Sequence, residues 1–169
     1  MLAMLRKIIF ILKSLGLLVL GLSSMSVTSA EQIGKLEQSE LIEGKNIKLL
    51  VDCVENKDFK ITRDVKGRSF IGTDGEPPIC VLSELRVNVD DRALPIPNRA
   101  IVDLSNVRLD GAEIKVRQEQ LLIRLRGGDG LGSYSVRFIF EKGILIRREI
   151  EDRDSKERIR IRVSKFGKR

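Results

Sequence analysis

Leu121-Leu122-Ile123-Arg124-Leu125-Arg126, Tyr134-Ser135-Val136-Arg137-Phe138-Ile139-Phe140-Glu141 and Ile144-Leu145-Ile146-Arg147-Arg148-Glu149-Ile150 follow one another within residues 119–150. In the first run Leu121, Ile123 and Leu125 alternate with Leu122, Arg124 and Arg126. In the second Tyr134, Val136, Phe138 and Phe140 alternate with Ser135, Arg137, Ile139 and Glu141. Side chains of a strand point alternately to its two faces, so a period of two gives each strand a distinct apolar side. The Glu141-Lys142-Gly143 turn joins the second run to the third. The span therefore predicts a three-stranded meander whose inner face carries Tyr134, Phe138 and Phe140. The opposite phase would bury Arg137, and an unpaired buried guanidinium is costly.

Downstream, Ile159, Ile161 and Val163 alternate with Arg158, Arg160 and Arg162. This predicts a last strand that folds back on 144–150, with the aliphatic row over the core and the arginines in solvent. Residues 165–169 are expected to be a frayed basic tail. Upstream, Leu85, Val87 and Val89 alternate with Arg86 and Asn88, and Asp90-Asp91 forms a turn. Ala93-Leu94-Pro95-Ile96-Pro97 is expected as an edge strand, because its prolines cannot donate to a ladder. Ile101 to Leu104 and Val107 to Leu109 are short apolar pieces. Asp110-Gly111 is a tight-turn dipeptide, and Ile114-Lys115-Val116 leads into the meander.

The first strand of the domain is expected at Asn46 to Cys53. Between Cys53 and Cys80 lie strand-like fragments, Phe59-Lys60-Ile61 and Ser69-Phe70-Ile71, and the surface loop Gly72-Thr73-Asp74-Gly75-Glu76-Pro77-Pro78. Residues 31–45 are polar and are expected as a linker or one short helix. No stretch of helical period reaches three turns after residue 30. Short strands at regular spacing define an all-β class, a small antiparallel β-sandwich or barrel-like meander over residues 46–164.

The N-terminus has a different chemistry. Arg6 and Lys7 precede an apolar run, Ile8 to Leu22, and then Ser23, Ser24, Ser26, Thr28, Ser29 and Ala30. That is the order of an export signal, with cleavage expected after Ala30. Lys13 leaves the apolar run short of the ~20 residues of a spanning helix, so a membrane role is confined to this segment if it stays uncleaved. No cysteine near the cut offers a lipid attachment point. Removal leaves 169 − 30 = 139 residues, the size of one domain. It also removes Arg6, Lys7 and Lys13, which lowers the net charge from +7 to +4. The two cysteines, Cys53 and Cys80, are expected to form a disulfide in an oxidising compartment.

The chain has no histidine. The usual general base and the commonest zinc ligand are therefore missing. Asp90/Asp91 and Asp103/Asp110 are the acid pairs to weigh, but aspartates at turns mainly hydrogen-bond local backbone. The glycine-rich loop from Gly127 to Gly132 is followed by a strand, so no helix N-terminus points at a phosphate. Asp129 alone falls far short of a calcium ligand set. No catalytic residue, metal ligand or cofactor is assigned. Two candidate contact regions remain. One is the exposed loop Gly127, Gly128, Asp129 and Gly130. The other is the arginine row Arg158, Arg160 and Arg162, extended by Arg147, Arg124, Arg126 and Arg137, as a face for an anion or partner. The competing role for that row is a solvated face balanced by Glu149, Glu151 and Glu157, and edge protection. Nucleic acid is disfavoured because few aromatics are present to stack bases.

The expected function is an exported, periplasmic or secreted, non-enzymatic domain that binds a protein or an anionic envelope component. An inhibitor of an envelope or secreted hydrolase is the alternative, and a carboxylate-based enzyme the third. The leader is testable directly. N-terminal sequencing of exported material should begin at or within a few residues of Glu31, and a chain that still begins at Met1 overturns the cleavage.

Overall fold

The computed structural model describes residues 33–57, 70–74, 76–128, 132–153 and 159–166, with backbone alone at 153 and 159–162. Strands β1 (Gly34–Ile42), β2 (Lys45–Glu55), β3 (Cys80–Val89) and β4 (Arg92–Ala93) form one antiparallel sheet. Strands β5 (Glu113–Arg117), β6 (Gln120–Gly127), β7 (Tyr134–Glu141), β8 (Ile144–Arg153) and β9 (Ile159–Lys165) form the second. Each sheet is a meander in sequence order. Among the described residues there is no α-helix, and a 3₁₀ turn spans Asn98–Ala100.

The two sheets share one core. Ile47, Leu49 and Val51 of β2 and Val87 of β3 join Ile123, Leu125, Val136, Phe138 and Phe140 in a single cluster. All seven side chains expected on the inner face of the central meander are buried. Ile139, on the other face, is buried as well.

Four hairpins close with two residues, both at positive φ: Glu43-Gly44, Asp90-Asp91, Gln118-Glu119 and Lys142-Gly143. This is the signature of the type I′ turn, whose twist matches that of the strands it joins. All four lie at the same end of the molecule. At the opposite end the sheets are tied together through residues 104–107. Val81 pairs with Ser105, and Val107 pairs with Gly127, so this short segment touches both sheets. Asn106 sits between them, and its side-chain oxygen accepts the Ile79 and Cys80 N–H groups at 2.9 and 3.2 Å. Cys53 and Cys80 form the expected disulfide, with Cα atoms 5.8 Å apart. On a chain-entropy basis such a loop contributes about 3.5 kcal/mol.

Tyr134 completes this corner. Its hydroxyl donates to the Ser105 carbonyl at 2.9 Å. A Cβ on Gly127 would lie 2.5 Å from the ring, and one on Gly72 would lie 2.6 Å away. Glycine is needed at both because the ring occupies the space a side chain would take.

Several expectations need correction. Residues 34–42, expected within a linker or short helix, form β1. Its inner row is Leu36, Gln38, Glu40 and Ile42, and its two polar members conceal the alternation. Gln38 is satisfied by a pair of hydrogen bonds to the backbone of Ala112, 3.0 Å each, which clasp β1 to the approach of β5. Asp110-Gly111 does not close a hairpin; Gln118-Glu119 does. The expected edge strand after Asp91 is only two residues long, ending just before Leu94 and Pro95. Lys165 belongs to β9, and Phe166 donates its N–H to the Ile146 carbonyl at 2.9 Å with Arg99 stacked 5.3 Å over its ring. This part of the tail is therefore anchored rather than frayed. The leader 1–30, Phe59-Lys60-Ile61 and residues 167–169 lie outside the described residues.

Burial raises the pKa of the Tyr134 hydroxyl, the Asp103 carboxylate adds to the rise, and Arg148 opposes it. The unfolded chain loses this proton near pH ~10, while the folded chain keeps it. The contribution to stability is therefore full below ~10 and is lost as pH rises above that value. The urea midpoint should fall between pH ~9 and ~11 more steeply in the native sequence than in Tyr134→Phe. Tyr134 is the only tyrosine, so tyrosinate absorbance reads its ionisation alone. Identical alkaline slopes in the two proteins would remove the assignment.

Candidate functional site

The end of the molecule that carries the four turns is open. Between the sheets lies a cavity of about 420 Å³. Its apolar lining is Ile47 and Val89 from the first sheet, Leu94 beyond β4, and Val116, Leu121 and Phe140 from the second. Ile47, Leu94, Leu121 and Phe140 are members of the shared core, so the floor of the cavity is the core surface itself. The chain leaves β3 just after Leu94, whose N–H donates to Val87 at 2.8 Å. Pro95 and Pro97 supply no N–H to prolong β4 along it.

The rim is charged. Lys45 at the start of β2, Arg92 of β4 and Lys142 of the β7–β8 turn are joined by Asp90 and Glu119. Asp90 is engaged within its own sheet, where its Oδ1 accepts the Asn46 N–H at 2.9 Å. Lys45, Arg92 and Lys142 make no ion pair with any described residue. The rim thus has one net positive charge and three cations able to meet a ligand.

The contact regions expected from the sequence are placed differently. Gly127 ends β6, and both Gly127 and Gly128 are buried. Gly128 donates its N–H to Asn106 at 2.8 Å. These two glycines pack against the Tyr134 corner and do not form an exposed loop, while Asp129 and Gly130 lie outside the described residues. In β9 the register sets Arg160 opposite Asp152, Arg162 opposite buried Ile150, and Val163 opposite Glu149. Arg160 and Arg162 are described by backbone alone, so the phase of this strand is read from Val163. Val163 is 52% exposed, the reverse of the expected phase. Arg158 is outside the described residues.

The remaining arginines of the outer face are largely paired. Glu149 receives both Arg137 and Arg147 at 3.0 Å. Glu113 meets Arg124 at 3.6 Å and also pairs with Lys115, whose hydrogen bond holds its carboxyl below the usual range. The outer face is a lattice of mixed charge.

The acid pairs of the sequence are dispersed. Asp91 pairs with Lys48 at 2.6 Å, and that hydrogen bond lowers its pKa. Asp110 pairs with Arg108 at 2.7 Å. Asp103 is buried against Arg148, Oδ1 to Nη1 at 2.5 Å and Oδ2 to Nη2 at 3.0 Å, and the same Nη1 donates to the Ala100 carbonyl at 2.9 Å. The sequence offered no signal for this pair, because a bulge in β8 sets its phase. Nor did it signal the cavity, whose lining is gathered from both sheets. Among the described residues no cluster of His, Cys, Asp and Glu could hold a metal ion.

No known protein family matches the chain, and no curated protein and no solved structure is significantly similar to it. The disulfide suits an oxidising compartment. Among the described residues no helix is long and apolar enough to cross a membrane.

Removing one partner of a buried ion pair leaves an uncompensated charge, so Arg148→Met should cost about 3–5 kcal/mol in urea unfolding. Arg148→Met combined with Asp103→Leu should recover most of that loss, since both buried charges are then gone. A double variant no more stable than Arg148→Met would show that the cost lies in packing.

Proposed function

We propose that this chain is an exported, non-enzymatic β-sandwich that binds an envelope component in the cavity at its turn-bearing end. The observation that carries this reading is the combination of an apolar floor and three cations without a described ion-pair partner in one opening of about 420 Å³. Ligand sites of soluble domains are concave, mostly apolar, about 300–1,000 Å³ in volume, and oriented by a few polar groups. Export is supported by the leader and by the buried Cys53–Cys80 disulfide. A binding role over catalysis is supported by the lack of histidine and by the engagement of the candidate carboxylates. Asp91, Asp103 and Asp110 are held by cations, and Asp90 by a backbone N–H.

The test is to fill the cavity. Val116 is half-buried in its wall, and Val116→Trp should occlude it while leaving the sheets intact. Mature wild-type and variant proteins are used to capture material from an envelope extract, and both lipids and proteins are identified by mass spectrometry. The expected outcome is a retained component that the wild type holds and the variant loses, with similar urea midpoints. Equal retention by both would remove the cavity from the function.

A further inference from the structure

Building on that reading, we infer that the cavity takes a single-chain amphiphile with an anionic head, a carboxylate or phosphate on one alkyl chain. The floor consists of aliphatic and aromatic side chains, Ile47, Val89, Leu94, Val116, Leu121 and Phe140. Such a floor selects an apolar body by burial alone. At roughly 30 Å³ per methylene, about the share of a water molecule in the liquid, the cavity of about 420 Å³ holds one chain of about a dozen carbons and not two.

The head is selected at the rim. Lys45, Arg92 and Lys142 come from three separate elements of both sheets and converge on one opening. All three are exposed, so each adds a modest, salt-screened attraction, and the three together bias the opening toward an anion. Lys and Arg also lay their alkyl stems along apolar surface while the charged end stays wet. The stems would extend the floor toward the opening and leave three donors around the head. Asp90 is held by the Asn46 N–H, so Glu119 is the one acid on the rim without a described partner. It repels an anionic head, which makes its neutralisation informative.

The probes are octanoate, decanoate and dodecanoate, with dodecyl phosphate, dodecanol and dodecyltrimethylammonium, all below their micelle concentrations. Binding to the mature protein is measured by calorimetry. About 0.8 kcal/mol per buried methylene corresponds to about fourfold tighter binding for each carbon added. Dodecanoate or dodecyl phosphate should bind more tightly than dodecanol, and the cationic probe should bind most weakly. The better of the two anionic heads identifies the source, a free acid or a phosphate. Arg92→Gln and Lys142→Gln should each weaken dodecanoate roughly two- to fivefold, and added salt should do the same. Glu119→Gln should strengthen it.

Several results would overturn the assignment. They are affinities indifferent to chain length, equal binding of anionic and cationic probes, or binding only to phosphatidylglycerol vesicles with no monomer bound. The two levels of the reading fail differently. If no alkyl probe binds but Val116→Trp still abolishes envelope capture, the ligand class is wrong and the cavity stands. If capture survives Val116→Trp, the cavity itself is wrong. Should that variant unfold, Val89→Trp fills the same space from the opposite sheet.

Discussion

The side chain and backbone of Asn106 hold the two sheets in one structure. Its Oδ1 accepts two backbone N–H groups at the start of β3, and its Nδ2 donates to the Gly72 carbonyl at 2.9 Å. Its own N–H donates to Cys80 at 2.9 Å, and its carbonyl accepts Gly128 at 2.8 Å. The residue is buried at φ +49°, a left-handed conformation that asparagine tolerates better than most residues. An aspartate there would offer the acceptor but not the donor, and a leucine neither. Buried backbone groups left without partners cost about 1–3 kcal/mol each. Several would be orphaned at once, at the place where three chain segments meet.

That arrangement divides the molecule into a fastened end and an open one. At the first end the disulfide, Asn106 and the Tyr134 ring leave so little room that Gly72 and Gly127 cannot carry a side chain. At the second, the connections are two-residue turns that close each hairpin locally and do not bridge the sheets. A core fastened at one end can leave its other end uncovered without losing the pairing of the sheets. The cavity follows from this division, and its floor is the unfinished surface of the core. The Gln38–Ala112 clasp joins the sheets along their β1–β5 side.

The sequence was most legible where burial falls on one face. The inward rows of β6 and β7 and the Leu85–Val89 half of β3 were read in the correct phase, whereas the earlier half of β3 is shifted by a bulge at Ser83 that the sequence did not mark. The all-β class and the cysteine pairing followed from the same simple patterns. β1 was not legible, because an edge strand needs little apolar content and Gln38 meets its obligations through a distant backbone. The Gln118-Glu119 turn has neither glycine nor asparagine, so nothing marked it against the more conspicuous Asp110-Gly111. The phase of β9 was misread because aliphatic residues were assumed to face the core. Val163 instead lies opposite Glu149 on the outer face. The site was the least legible part. Its cations are scattered in sequence and meet only through the two-sheet fold.

The bulge in β8 shows how charge fixes register here. Phe140 pairs with Leu145 and Ile139 with Arg147, so Ile146 is the extra residue. Before it, odd-numbered positions face inward; after it, even-numbered ones do. A one-residue slip exchanges the faces of everything that follows. With the bulge, Arg148 turns inward to the Asp103 carboxylate, and Glu149 turns outward between Arg137 and Arg147. Without it, Glu149 would be carried into the core opposite apolar neighbours, and Asp103 would lose the Arg148 guanidinium. In the observed phase Arg148 meets Asp103 and Glu149 meets Arg137 and Arg147; in the slipped one both sets of contacts are lost. The buried pair adds little net stability over apolar residues of the same size, because desolvation offsets most of the attraction. Its larger effect is to exclude the slipped register, and with it a sheet whose inner face could not close on the core beneath the cavity.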